Sequence, residues 1–199
     1  RDPPADPFAR GDRFYGIRKL CDFRNGDIQW MGESVMTLPT HELVRKGLSI
    51  MQQGGRVFPT MSVWDNVMLA FAAGDGSYLD ELCSIIPLLK EPKRNLQHKM
   101  ADRLSGGEKH QLALAMTLAP HPRLVILDEP SAGLSPKAVE EMYTMLHDLR
   151  EKLNLTILLI EQNVSRAVEF CGMSLLIQSG TIAKHISGHD RKMMEEVLF

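Results

Sequence analysis

Apolar residues along this chain recur in two rhythms, and the change from one to the other organises it. Near the start, Asp27-Ile28-Gln29-Trp30-Met31 alternates polar with apolar and Gly32-Glu33 supplies turn residues, so Gly26–Val35 reads as a short hairpin. Thr40 can cap a helix running to Lys46, with Gly47 as its stop. Leu48-Ser49-Ile50-Met51 then reads as a strand, leading into the polar loop Gln52-Gln53-Gly54-Gly55-Arg56. From Ser62 to about Ala101 the rhythm is helical: Val63, Val67 and Ala70 share one face, and Leu79, Leu82, Ile86 and Leu89 mark another. Gly74–Gly76 and Pro92 break that stretch.

Strand and helix alternate afterwards. Helices are expected over Gly107–Leu118, Pro136–Lys152 and Ser165–Phe170, and strands over Leu124–Leu127 and Leu155–Ile160. Leu175-Leu176-Ile177 and Thr181-Ile182-Ala183 form a closing hairpin around Ser179-Gly180. Uninterrupted apolar strands between amphipathic helices imply an α/β fold with a parallel sheet covered on both faces. The stretch from Ser62 to Ala101 is then an all-helical insert. Residues Arg1 to Arg13, with three prolines, three aspartates and little periodicity, read as poorly ordered.

Composition narrows the possibilities. With 44% hydrophobic residues, 199 residues can bury a real core. A net charge of −2, with Lys and Arg dispersed, offers no footprint for nucleic acid. Cys21, Cys83 and Cys171 lack metal-ligand spacing and read as reduced thiols of a cytosolic protein. The longest apolar runs fall far short of the ~20 residues that span a bilayer, and no secretory signal is visible. The chain opens on Arg1 rather than Met, which reads as a fragment boundary.

Two polar clusters follow apolar strands. One strand delivers Asp128 and Glu129, the other Glu161 and Gln162. Ligands bind outside the carboxyl ends of strands in open parallel sheets, so these residues are expected to share a crevice. The plainer reading is that strands end in polar residues where they meet solvent. An Asp placed there can hold Mg²⁺ through waters, and a neighbouring carboxylate can orient an attacking water. Pro130 ends the strand, and Ser135 caps the next helix with Pro136 at its first position.

Ser105-Gly106-Gly107-Glu108 reads as a capping box, which accounts for the serine and the glutamate. It leaves the two glycines unexplained, since each costs about 1 kcal/mol against Ala within a helix. A glycine-rich helix start with a serine hydroxyl is also an anion site.

These residues together resemble the nucleotide-binding subunit of an ABC transporter. Leu104-Ser105-Gly106-Gly107-Glu108 matches the signature, Leu124–Pro130 the Walker B strand and Ser131–Pro136 the D-loop, while Gln53 falls at the Q-loop. The wording of Gly55-Arg56-Val57-Phe58-Pro59, Met61-Ser62-Val63 and Ile160-Glu161-Gln162-Asn163 resembles subunits of branched-chain amino acid importers. The resemblance runs from about Gly26 to the end of the chain. It implies a P-loop NTPase-like core at 26–61 and 104–199 and a helical subdomain at 62–103. It implies ATP and Mg²⁺ as cofactors, with Gln53 and Asp128 at the metal, Glu129 as the catalytic carboxylate and Gln162 at the switch position. Most ABC ATPases carry His at that position, and an amide can donate a hydrogen bond there without taking a positive charge. Ser105, Gly106 and Gly107 would touch the γ-phosphate of ATP held by a second ATP-binding subunit in a head-to-tail pair. The helical insert would dock on membrane-embedded permease subunits, at the cytoplasmic, inner face of the cell membrane. Phe58 and Trp64 are candidate contacts there, or ordinary core aromatics.

One family element is not found. A phosphate loop needs G-x-x-x-x-G-K-[ST], and this sequence contains no Gly-Lys pair. Gly11 and Gly16 have the right spacing, but Ile17-Arg18 follow, and the prolines at 3, 4 and 7 exclude a preceding buried strand. Tyr15 matches the adenine-stacking aromatic only weakly. Residues 1–25 are thus expected to be a divergent segment, with the N-terminal part of the core missing. The chain alone is expected to hydrolyse ATP negligibly, and the strand bearing Asp128 to lose a sheet neighbour and expose apolar surface. An alternative is a non-hydrolytic partner subunit that completes a competent subunit's site. The DNA-repair branch that shares this signature would need coiled-coil insertions and basic surfaces, which the sequence does not show.

Overall fold

A computed structural model of the protein describes residues 26–71, 76–179 and 181–187. The expectations placed on the first 25 residues, on Gly74 and on Gly180 lie outside the described residues.

Strands β1 (Gln29–Trp30) and β2 (Glu33–Ser34) pair antiparallel as the alternation predicts. Their turn is Met31-Gly32 rather than Gly32-Glu33, with φ of 53° and 83°. Two left-handed residues match the twist of a tight hairpin, and Gly32 takes one of them without cost. Helix α1 spans Thr40–Arg45, beginning one position earlier than a Thr40 cap requires. Pro39 holds the cap position in extended geometry, and its carbonyl accepts from the N–H groups of Glu42 and Leu43 at 3.0 and 3.2 Å. Gly47, at φ 82°, stops the helix as expected.

Three strands follow the apolar runs: β3 (Leu48–Met51), β4 (Leu124–Asp128) and β5 (Thr156–Ile160). They form one parallel sheet in the order β3-β4-β5, with Ile50 opposite Ile126 and Leu158 opposite Ile126 on the other side. Alternation along β4 divides the core. Val125 and Leu127 point into the larger apolar cluster, while Ile126 joins Val35, Leu43 and Leu48 on the opposite face.

The insert is helical, as its period predicts: α2 (Val63–Ala70), α3 (Gly76–Ile85), a 3₁₀ turn at Pro87–Lys90, α4 (Lys93–His98) and another at Ala101–Arg103. Ser62 caps α2 by accepting from the N–H of Asp65. Helices α5 (Gly106–Leu118), α6 (Pro136–Leu153) and α7 (Val164–Phe170) complete the helical layer. Leu82, Ile86 and Leu96 of the insert share one core with Leu112, Leu118, Leu146 and Leu149. Each such side chain contributes about 1.5–3 kcal/mol by leaving water, so the insert is welded to the sheet-covering helices. Strands β6 (Met173–Gln178) and β7 (Thr181–Ser187) pair antiparallel as a separate hairpin.

The expectation about the Asp128 strand is corrected. β4 has hydrogen-bonded neighbours on both sides, so among the described strands the open edges are those of β3 and β5, and β5 is the one that exposes a large apolar residue. Leu158 is 45% exposed there, and Leu175, Ile177 and Ile182 of the β6–β7 hairpin are exposed too. The reason is strand order: β4 lies between β3 and β5, so a missing neighbour leaves an outer strand open rather than β4. An exposed apolar edge templates pairing with other chains. Leu158→Lys should therefore reduce self-association in light scattering while shifting the thermal midpoint by no more than a few degrees. Unchanged scattering would place the sticky surface elsewhere.

Candidate functional site

Parallel pairing sets the carboxyl ends of β3, β4 and β5 side by side, and each strand continues into a polar residue. Glu129 leaves β4 at φ 47°, a left-handed conformation that costs a non-glycine residue about 1–2 kcal/mol. Its N–H donates to the Ile160 carbonyl at 2.8 Å and its carbonyl accepts from the Ala132 N–H at 3.1 Å, which hold the bend. The Gln53 amide donates to one Glu129 carboxylate oxygen at 2.5 Å, and the Gln162 amide donates to the other at 2.6 Å. Two amides, from beyond the ends of β3 and β5, thus close on one carboxylate at the end of β4. Asp128, the last residue of β4, is buried directly beneath at 9% exposure.

The surrounding loops fix this arrangement. Glu161 accepts from the Ser131 N–H at 2.9 Å, tying the turn after β4 to the end of β5. Ser135 caps α6 through the Ala138 N–H, with Pro136 in the first helical position as expected. Gly55, at φ 51°, sits where a Cβ would lie 2.6 Å from the Ala113 Cβ of α5, so only glycine lets the Gln53 loop lie on that helix. Asn66 is fully buried and braces the same loop, donating to the carbonyls of Phe58 and Ser62 and accepting from the Phe58 N–H. Sequence reading missed Asn66. A polar residue on the apolar face of a helix, next to Val63 and Val67, is the signal that marks it.

Ser105-Gly106-Gly107 stands apart from that carboxylate, and the hydrogen bonds of Ser105 remain in its own turn. Its hydroxyl accepts from the Glu108 N–H at 3.3 Å and its N–H donates to the Glu108 carboxylate at 2.9 Å, so the capping box is present in full. Lys99 was also missed: it bridges Glu108 at 2.8 Å and Glu91 at 2.9 Å, clamping the insert to the start of α5. The Lys99 ammonium and the Ser105 N–H together hold the Glu108 carboxyl down to about 2. The glycines are not demanded by packing. A Cβ at Gly106 would meet nothing within 4 Å, and one at Gly107 only the Ala138 Cβ at 3.9 Å. Their N–H groups, in the first helical turn, have no acceptor among the described residues. Two open donors on a helix of 13 residues suit an anion from outside this chain.

Among the described residues no three His, Cys, Asp or Glu side chains converge as a metal cage. The Asp128 carboxylate and the Gln53 amide oxygen are the hard donors that Mg²⁺ takes, with the remaining positions going to water and phosphate oxygens. The residues present fit that ion.

A parallel α/β cassette with a clasped carboxylate at its strand ends and an open glycine helix start belongs to the nucleotide-binding class. A family model described as ABC transporter matches residues 15–132, and the chain belongs to that family. It is 30% identical over 168 residues to the high-affinity branched-chain amino acid transport ATP-binding protein BraG of Pseudomonas aeruginosa, covering 82% of this chain and 70% of BraG. It is 33% identical over 181 residues to the probable branched-chain amino acid transport ATP-binding protein LivF of Archaeoglobus fulgidus, covering 90% and 75%. The lipopolysaccharide export system ATP-binding protein LptB of Escherichia coli K12 is 27% identical over 174 residues, covering 86% and 72%. The dimeric ATP-binding cassette MJ0796, solved with ADP and Pi, shares the fold at a TM-score of 0.66 and 19% identity, covering 82% of this chain and 73% of its own. The α/β core with a parallel sheet is thus as expected, and the chain is an ATP-binding subunit of the ABC type.

Two outcomes test the geometry. Gly55→Ala should destabilise the fold by about 1–3 kcal/mol in urea unfolding, because both its φ and the Ala113 contact oppose a methyl group. The Glu108 carboxyl is depressed when folded, so its contribution is full above 4.5 and is lost as pH falls toward about 2. Lys99→Met should raise the Glu108 midpoint toward 4.5 in a carboxyl NMR titration and flatten stability over that window.

Proposed function

We propose that this chain is the ATP-binding subunit of an ABC importer of the branched-chain amino acid kind, coupling ATP binding and hydrolysis to transport. The observation that carries the reading is the Gln53–Glu129–Gln162 clasp at three adjacent strand ends. Relatives at 30% and 33% identity named for branched-chain amino acid transport support that cargo, beside LptB proteins at 27% and 31%.

Glu129 is the catalytic carboxylate. Amides on both its oxygens aim it outward from β4, where it orients an attacking water. Gln162 steadies it from the switch position and stays neutral throughout. Gln53 and Asp128 hold Mg²⁺, which when bound offsets phosphate charge. The open N–H groups of Gly106 and Gly107, with the Ser105 hydroxyl, face the γ-phosphate of ATP on the second subunit, which forms a homo- or heterodimer with this one. The dimeric MJ0796 cassette supports such pairing as a mode of this fold.

Residues 62–103 dock on membrane-embedded permease subunits, placing the protein in the cytoplasm on the inner face of the membrane. Phe58, Met68 and Leu69 are exposed and suit that contact. Trp64 is partly buried against the core with Lys93 over its ring at 4.5 Å, which favours the core reading for it. Among the described residues no helix is long and apolar enough to cross a membrane.

The second reading, a non-hydrolytic partner subunit, is favoured by the absence of any Gly-Lys pair in the sequence beside an open Ser105–Gly107 turn. Under either reading this polypeptide alone turns over ATP at background level. Magnesium-dependent phosphate release that vanishes in Glu129→Gln would overturn that. Mixed with a partner subunit that carries a phosphate loop, one active site per pair supports the second reading, and none counts against it.

A further inference from the structure

At the opposite end of the sheet from Glu129, a cleft of about 530 Å³ opens between the β1–β2 turn, the end of α1 and the segment leading into β4. It is lined by Trp30, Met31, Arg45, Lys46, His121 and Arg123, with Glu33 as its one acidic residue. Lys46 is ion-paired with Glu33, so that pair adds no net charge. The two guanidiniums are not matched in this way. Among the described residues Arg45 has no carboxylate partner, and the Arg123 guanidinium donates only to the Met31 sulfur at 3.4 Å. A thioether is a weak acceptor, so a group with five donors spends one on a poor partner.

The walls are held in place before any ligand arrives. The Trp30 indole N–H donates to the Lys46 carbonyl at 2.9 Å, locking the ring against the end of α1. The Arg123 N–H donates to the Gly47 carbonyl at 2.8 Å, and a Cβ at Gly47 would approach the Arg123 side chain to 3.3 Å. His121 stacks on Tyr78 at 3.8 Å between ring centroids. Met31 and His121 are both non-glycine residues at positive φ, 53° and 57°, on the rim of this one cleft. Such conformations persist where surrounding contacts over-determine them.

We propose that this cleft binds a small dianion, a phosphate monoester or a dicarboxylate, between the Arg45 and Arg123 guanidiniums with its carbon portion against Trp30. Guanidinium forks match either oxyanion in two parallel hydrogen bonds, and the indole supplies the apolar wall. The site needs nothing from the Glu129 rim and stands independently of the proposed transport function.

The probes are inorganic phosphate and malonate, titrated into the full chain carrying Trp64→Phe so that Trp30 is the sole indole. A saturable change in Trp30 fluorescence is expected. Arg45→Gln combined with Arg123→Gln should weaken it by about tenfold or more for each guanidinium lost, and the double Lys variant by less. Arg45→Gln alone, at an exposed position, should keep the wild-type melting curve while losing affinity, which separates binding from folding. Saturation by phosphate alone assigns a phosphate-bearing ligand, and saturation by malonate alone a dicarboxylate. No saturation by about 10 mM of either, or identical curves in the double Gln variant, overturns the proposal.

Discussion

The parallel hydrogen bonding of β3, β4 and β5 is the constraint on which the rest depends. Parallel strands point the same way, so their carboxyl ends gather at one rim although 76 residues separate Gln53 from Glu129. The two amides could not both reach the Glu129 carboxylate if β4 lay at an edge. The apolar alternation of β4, with Ile126 on one face and Val125 and Leu127 on the other, secures that central place. Buried on both faces, the strand cannot slip by one residue without reversing every side chain.

The second half of the chemistry depends on local structure. Ser105 and Glu108 satisfy each other across the first turn of α5, and Lys99 anchors that turn to the insert. The cap uses the Ser105 hydroxyl oxygen as an acceptor, and the glycine N–H groups are backbone donors it leaves open. Capping and anion binding are therefore compatible here: the cap orders the turn, and the missing side chains expose its donors. The insert that carries Lys99 shares its core with α5 and α6, so anything docking on the insert pushes on the helix that carries the proposed phosphate contact.

The β5 edge and the β6–β7 hairpin show a sheet whose described strands stop short of covering their apolar residues. Leu158, Leu175 and Ile177 point to the surface from strands that read as core. Among the described strands β5 stands at an edge because the sheet pairs in the order β3-β4-β5, which hydrogen bonding between strands decides.

Much was legible in the residues alone. The period-2 and period-3.6 rhythms identified the strands and helices, Gly47 marked the end of α1, and Ser105–Glu108 announced its capping box. Membership of the ABC transporter family was recognisable from motif residues by type and spacing. Local backbone preference and short-range patterning decide such features, and both are written in neighbouring residues. Tertiary structure decided the rest: that Gln53 and Gln162 both close on Glu129, that Lys99 joins two carboxylates, that Gly55 is compelled by Ala113, and that two arginines face a shared cleft. Each of these joins residues far apart in sequence or depends on which strand lies beside which. Such contacts are set by how surfaces pack, and no short window of sequence contains both partners.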